Sequence, residues 1–162
     1  MERLVNIDTG TEKLKIAFSK GGGHWRSLIA EKSVLASNQK ILQLSDQGIA
    51  VTSENARALV KYISDLENLN YDAIPRRKSV SRLGWLSEEG FSPYVPGLVF
   101  DGDANFSHVF ESVRCGGSEE AWMETARAVR RGSIMARVVL AGSFASALTK
   151  PSGALPCFVP LW

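Results

Sequence analysis

Cysteine is nearly absent from this 162-residue chain. There are two, Cys115 and Cys157, too few to staple a disulfide-dense secreted scaffold. Neither belongs to a CxxC pair, and His24 and His108 stand far apart in sequence, so the spacing predicts no metal site. A long hydrophobic run is also missing. The longest, Ile134 to Leu148, is interrupted by Arg137 and diluted by Gly142, Ser143 and Ser146. A bilayer span needs about 20 mostly apolar residues, so this stretch reads as a buried helix. The opening MERLVNIDTGTEKLK is polar and has no signal-peptide core. These absences predict a cytoplasmic protein with reduced thiols and no membrane partner. An excess of one charge is lacking too: 19 basic residues face 17 acidic ones, for a net charge of +2. No strongly basic field of the kind that marks a general nucleic-acid binder is present. With 44% hydrophobic residues, the chain has the composition of a packed globular protein rather than a disordered one.

The familiar catalytic signatures are missing as well. A phosphate loop needs G-x-x-x-x-G-K-[ST] between a strand and a helix. Gly21-Gly22-Gly23 is followed by no Gly-Lys-Ser/Thr and reads as a hairpin turn. Asp101-Gly102-Asp103-Ala104-Asn105 begins like a calcium loop. However, its sixth position is Phe106 rather than glycine and its twelfth is Ser112 rather than glutamate, so a surface turn is expected. Asn105-Phe106-Ser107 fits a glycosylation sequon, which has meaning only in a secreted protein. No G-x-S-x-G or comparable local signature marks a nucleophile. No catalytic residue is therefore assigned.

What is present is an alternation of strand and helix patterns. Lys13–Lys20 places Leu14, Ile16 and Phe18 at every second position, the glycine triplet turns the chain, and His24–Ala30 returns. This predicts an antiparallel hairpin. Asn38–Gln47 suggests a short helix with Ile41, Leu42 and Leu44 inward and Gly48 as its stop. A firmer helix is expected from Ser53 to about Asn68, capped by Thr52 or Ser53, with Ala56, Leu59, Val60, Ile63 and Leu66 on one face. Residues 71–77 read as a connector. Ser79–Ser87, Leu98–Phe100 and Ser107–Ser112 are strand candidates. From Gly116 the pattern turns helical. Ser118 caps a helix with Trp122, Ala126 and Val129 as its inner stripe, and Gly132 stops it. Ser133 caps another helix, which ends at Lys150-Pro151-Ser152-Gly153. Leu155–Trp162 is continuously apolar, as in a buried parallel strand. The predicted class is α+β: a β-rich part, residues 1–115, carrying one packed helix, and then residues 116–162, a helix pair leading into a strand.

Two basic clusters stand out. Arg76, Arg77, Lys78 and Arg82 lie near Trp85, a combination suited to nucleic acid because guanidinium and ammonium groups meet phosphates while an aromatic ring stacks on a base. The plainer alternative is a solvated linker. Arg127, Arg130, Arg131 and Arg137 surround the junction of the two C-terminal helices. Helix-dipole complementation is the plainer account there, and contact with DNA or a neighbouring subunit the functional one.

Four segments together resemble the bacterial domain-of-unknown-function family 927, found in helicase-like proteins of phages and mobile elements. They are NIDTGTEKLKIAF with HWRSLIA, then RLGWLS, then CGGSEEAW, and finally GSFASALTKP with CFVPLW. The resemblance implies that CFVPLW is the first strand of a P-loop ATPase core missing from this chain. ATP and magnesium would then be cofactors of the full-length parent, with none held by these residues. The missing ATPase domain of the same polypeptide and DNA become expected partners, and a homo-oligomer is expected for the parent. The family's catalytic residues match no position here.

Overall fold

The computed structural model describes residues 1–86 and 89–155. The fold is α+β, and the chain divides into two compact units, Met1–Phe110 and Glu111–Trp162. The first unit is built on five strands: β1 (Glu2–Asn6), β2 (Glu12–Ser19), β3 (Trp25–Glu31), β4 (Arg76–Val80) and the short β7 (Val99–Phe100). They form one sheet in the order β3-β2-β1-β4-β7. The expected hairpin is present: β2 pairs antiparallel with β3, Leu14 opposite Ala30 and Ile16 opposite Leu28. Gly21, Gly22 and Gly23, all at positive φ, make its turn. β1 pairs antiparallel with β2 and parallel with β4, and β4 is parallel to β7. A parallel neighbour cannot be reached by a tight turn. The chain between β3 and β4 therefore carries α1 (Lys32–Leu35), a 3₁₀ helix (Lys40–Ser45) and α2 (Ala56–Leu69).

These helices close the main core. Leu14, Leu28 and Ala30 from one sheet face meet Val34 and Leu35 of α1, Ile41 and Leu44 of the 3₁₀ helix, Val51, and Ala56 and Ile63 of α2. The expected helical face of α2 is largely right: Leu59 and Val60 pack partly against this core, whereas Leu66 stays partly exposed. Its capping differs. The helix starts at Ala56, and neither Thr52 nor Ser53 lends a side chain. Thr52 instead gives its carbonyl to the Ala56 N–H, and Asn55 Oδ1 accepts the Thr52 N–H at 2.8 Å.

A second cluster gathers Val80, Leu86 and Phe110 with Ile7, Val95, Leu98 and Phe100. It includes the small hairpin of β5 (Gly84–Leu86) and β6 (Gly90–Ser92), and α3 (Ala104–Ser112). Three sequence expectations are corrected here. The connector at 71–77 ends early, because Arg76 and Arg77 already belong to β4. The strand expected over Ser79–Ser87 is two strands, broken at residues 81–83. The strand expected at Ser107–Ser112 is helical. Local β propensity in His108-Val109-Phe110 yields to a helix start at Asp103, whose Oδ1 accepts the Asn105 N–H at 2.9 Å. The helix is anchored by Phe110, whose ring centroid lies 5.1 Å from that of Phe100.

The second unit holds α4 (Glu119–Arg131) and α5 (Ile134–Ser152). Both expected caps are made: Ser118 Oγ accepts the Ala121 N–H and Ser133 Oγ accepts the Ala136 N–H. Gly153, in the left-handed conformation, ends α5 as expected. The expected burial is not found. Neither helix contains a buried residue. Trp122, expected on the inner stripe, is half-exposed and touches Phe144 edge-on at 5.9 Å. The apolar run of α5 stands open because two helices alone cannot cover each other on more than one side. The strand expected at Leu155–Trp162 lies outside the described residues, apart from exposed Leu155.

Candidate nucleic-acid interface

The residues singled out at Arg76, Arg77, Lys78 and Arg82 are not a solvated linker. The first three stand on β4, an interior strand, and alternate across its faces. All three are exposed and, with Val5 and Ile7, line an open cavity of about 340 Å³. Three of the four cations are engaged by carboxylates. Arg77 Nε lies 3.6 Å from Glu2, and Lys78 Nζ 2.5 Å from Glu89. Arg82 grips both oxygens of Asp8, at 2.6 and 2.8 Å. Bidentate pairing fixes the Arg82 guanidinium, so it contributes to joining the turn after β1 to the chain after β4. The Trp85 ring meets Phe91 edge-on at 5.4 Å.

A second polar site escaped sequence reasoning. In open sheets, ligands bind beyond the carboxyl ends of parallel strands, where connections leave in opposite directions. Here that place lies between β1 and β4, and a buried cluster fills it. Asp101, expected in a surface turn, has a fully buried carboxylate. It accepts hydrogen bonds from Asn6 Nδ2 at 3.1 and 3.3 Å and from Ser79 Oγ at 2.7 Å. Lys13 Nζ lies 3.9 Å from Oδ1 and donates to the Asp101 carbonyl at 2.6 Å. Asn6 Oδ1 in turn accepts the N–H groups of Asp8 and Thr9. Each member satisfies another, so the cluster joins β1, β4 and β7 rather than presenting open ligand positions. The only hint in sequence is a polar residue at or beside the end of each strand, which cannot be told from an ordinary strand end.

A third network flanks the main core. Arg3 pairs with Glu12 at 2.9 Å, Glu12 with Lys32 at 3.3 Å and Lys32 with Glu67 at 2.7 Å, while the Arg3 guanidinium lies 3.9 Å from the centre of the Tyr71 ring. The Arg3 guanidinium, and after it the Lys32 ammonium, hold the Glu12 carboxyl below the ordinary range.

The second basic cluster has a different environment. Arg127, Arg130, Arg131 and Arg137 line one open cavity of about 490 Å³ at the turn between α4 and α5. Arg137 Nε donates to the Arg130 carbonyl at 2.8 Å. None of the ion pairs observed among the described residues involves these four.

The described residues contain no cluster of three or more His, Cys, Asp or Glu side chains able to hold a metal. Gly21–Gly23 joins β2 to β3 and is a hairpin turn rather than a phosphate loop ahead of a helix. No described helix is long and apolar enough to cross a membrane. A family model described as "Domain of unknown function (DUF927)" matches residues 1–161. No curated protein matches the chain.

Proposed function

Because the chain belongs to the DUF927 family, we propose that it is the non-catalytic accessory portion of a helicase-like P-loop ATPase of a phage or mobile element, serving DNA replication or mobilisation. One observation carries this reading: the α4–α5 hairpin is built to be covered. Ile134, Met135, Val138, Val139, Phe144 and Leu148 of α5 are exposed; at about 100° per residue the first, third, fifth and sixth form one stripe about 120° wide, and Met135 and Val139 widen it to about 220°. An exposed apolar face that broad is suited to cover by a larger body. The sheet of an ATPase core would supply that body. ATP and magnesium would then be held by the parent's own phosphate loop. The test is the coding sequence beyond Trp162, together with ATP hydrolysis by the encoded polypeptide. A Gly-Lys-Thr or Gly-Lys-Ser loop there, with turnover by the longer protein and none by residues 1–162, is the expected result. A stop codon together with a stable monomer, its α5 protected from hydrogen exchange, would end the proposal.

A free-standing binding module without ATPase activity is the second reading. The cavity flanked by Arg76, Arg77 and Lys78 favours it. Binding of DNA that is lost on R76Q/R77Q/K78Q substitution would support it.

A further inference from the structure

We propose that the arginine pocket at the α4–α5 turn binds the phosphate backbone of a nucleic acid. The inference deepens the DNA side of the reading above and rests on it, but not on the ATPase side. Charge distribution is its first ground. Residues 1–110 hold thirteen basic and thirteen acidic groups, and residues 111–162 hold six basic and four acidic. The whole net charge of +2 therefore falls in the second unit. Within that unit the signs are separated. Glu119 and Glu120 occupy the first turn of α4, with Glu124 following one turn later, whereas Arg127, Arg130 and Arg131 crowd its end.

Complementing the helix dipole accounts for part of this pattern and fails at one residue. Cations are favoured at the carboxyl end of a helix, where Arg130 and Arg131 sit. Arg137 is in the opening turn of α5, the positive end, and no acidic residue occupies that turn. The dipole of its own helix disfavours a cation there. Its Nε bond to the Arg130 carbonyl instead holds the Arg137 guanidinium beside those of α4. Four like charges lining one cavity repel one another, and no carboxylate pairs with any of them among the described residues. The contrast with Arg77, Lys78 and Arg82, each matched to a carboxylate, is direct.

An anionic ligand relieves that repulsion. Guanidinium groups recognise phosphate in bidentate fashion. The cavity, about 490 Å³, exceeds what one phosphate fills. Arg127 and Arg130 or Arg131 are three and four residues apart, which spaces them by about 4.5–6 Å along the helix. That series suits successive phosphates of a strand better than a single anion.

The test uses the full 162-residue chain without nucleotide. Binding of a fluorescein-labelled 20-mer, single-stranded or duplex, is titrated by anisotropy at several salt concentrations. Four phosphate contacts to a single strand give a log–log salt slope of about −2.8. The R130Q/R131Q variant should halve that slope and weaken binding at least tenfold at low salt. R130K/R131K, which keeps both charges, should retain the slope and serves as the folding control alongside circular dichroism. Competition by tripolyphosphate or polyglutamate at equal charge concentration would overturn the assignment, showing a free-anion or acidic-peptide site. Unchanged binding in R130Q/R131Q would also overturn it. Loss of binding in R76Q/R77Q/K78Q alone would move the interface to β4 and leave the DNA reading standing. Absence of DNA binding would sink the DNA reading and the pocket together, while the ATPase-accessory reading keeps its separate test.

Discussion

Replacing Asp101 by alanine isolates the joint between the three parallel strands. Its carboxylate is fully buried and accepts from Asn6 Nδ2 and Ser79 Oγ, with Lys13 Nζ 3.9 Å away. D101A leaves two buried donors without their main acceptor and removes the counter-charge of Lys13. Orphaning a buried polar group costs about 1–3 kcal/mol, and breaking a buried charge pair about 3–5 kcal/mol. The two figures describe the same event from different sides, so a loss of about 3–5 kcal/mol is expected. In a domain of this size that lowers Tm by about 10–25 °C, a large part of an ordinary stability of about 5–15 kcal/mol. D101N keeps an oxygen for Ser79 but turns an amide donor towards another donor or towards Lys13, so an intermediate loss is expected. Urea unfolding followed by far-ultraviolet circular dichroism measures both. A double-mutant cycle with N6A should show a coupling of about 1 kcal/mol or more, since the two side chains touch. A D101A loss below about 1 kcal/mol, or strict additivity with N6A, would refute the view that this cluster holds the strands together.

Four further outcomes follow from local structure. Glu12 titrates below its ordinary value because Arg3, and then Lys32, bind its charged form. Its contribution to stability is therefore present above about pH 4.3, the unfolded value, and is lost as pH falls through the lower folded value. A pH series of Tm should show that acid loss shrink in R3Q; an unchanged profile counts against the network. G102A should destabilise the first unit by about 1–3 kcal/mol, because a Cβ there would lie 2.6 Å from the Phe100 ring and 2.8 Å from the Ser81 carbonyl. By contrast, G142A meets nothing within 4 Å inside α5 and should stabilise that helix by about 0.5–1 kcal/mol in thermal unfolding. S133A, which removes the cap of α5, should cost about 1 kcal/mol, visible as faster amide exchange at Ala136.

Much of the fold was legible where the pattern was local. The β2–β3 hairpin shows its period of two between glycine turns, and Ser118, Ser133 and Gly153 announce helix ends by capping chemistry alone. Other elements depended on distant partners. β1 is too short to show a period of its own, and its place is fixed by pairing with β2 and β4. β4 begins with three cations, an unpromising strand start. It forms because Glu2 and Glu89 accept two of them while Ser79 and Val80 go inward. In α3 the strand preference of Val109 and Phe110 yields to the helix start at Asp103 and to the packing of Phe110 against Phe100.

The two arginine clusters show what sequence withholds. Arg76–Arg82 and Arg127–Arg137 are alike in composition, and the first lies beside an aromatic ring, so it was the more attractive nucleic-acid site. The two clusters differ in their carboxylate partners. Glu2, Asp8 and Glu89, from elsewhere in the chain, neutralise most of the first cluster. A neutralised cation must give up its partner before it can hold a phosphate, and the exchange gains little. The second cluster sits on a unit whose only acids are Glu111, Glu119, Glu120 and Glu124. The three on α4 lie in its amino-terminal half, so Arg130, Arg131 and Arg137 keep their charge available for a ligand. The rank of a basic patch as an anion site is thus set by where the carboxylates lie, which depends on the fold.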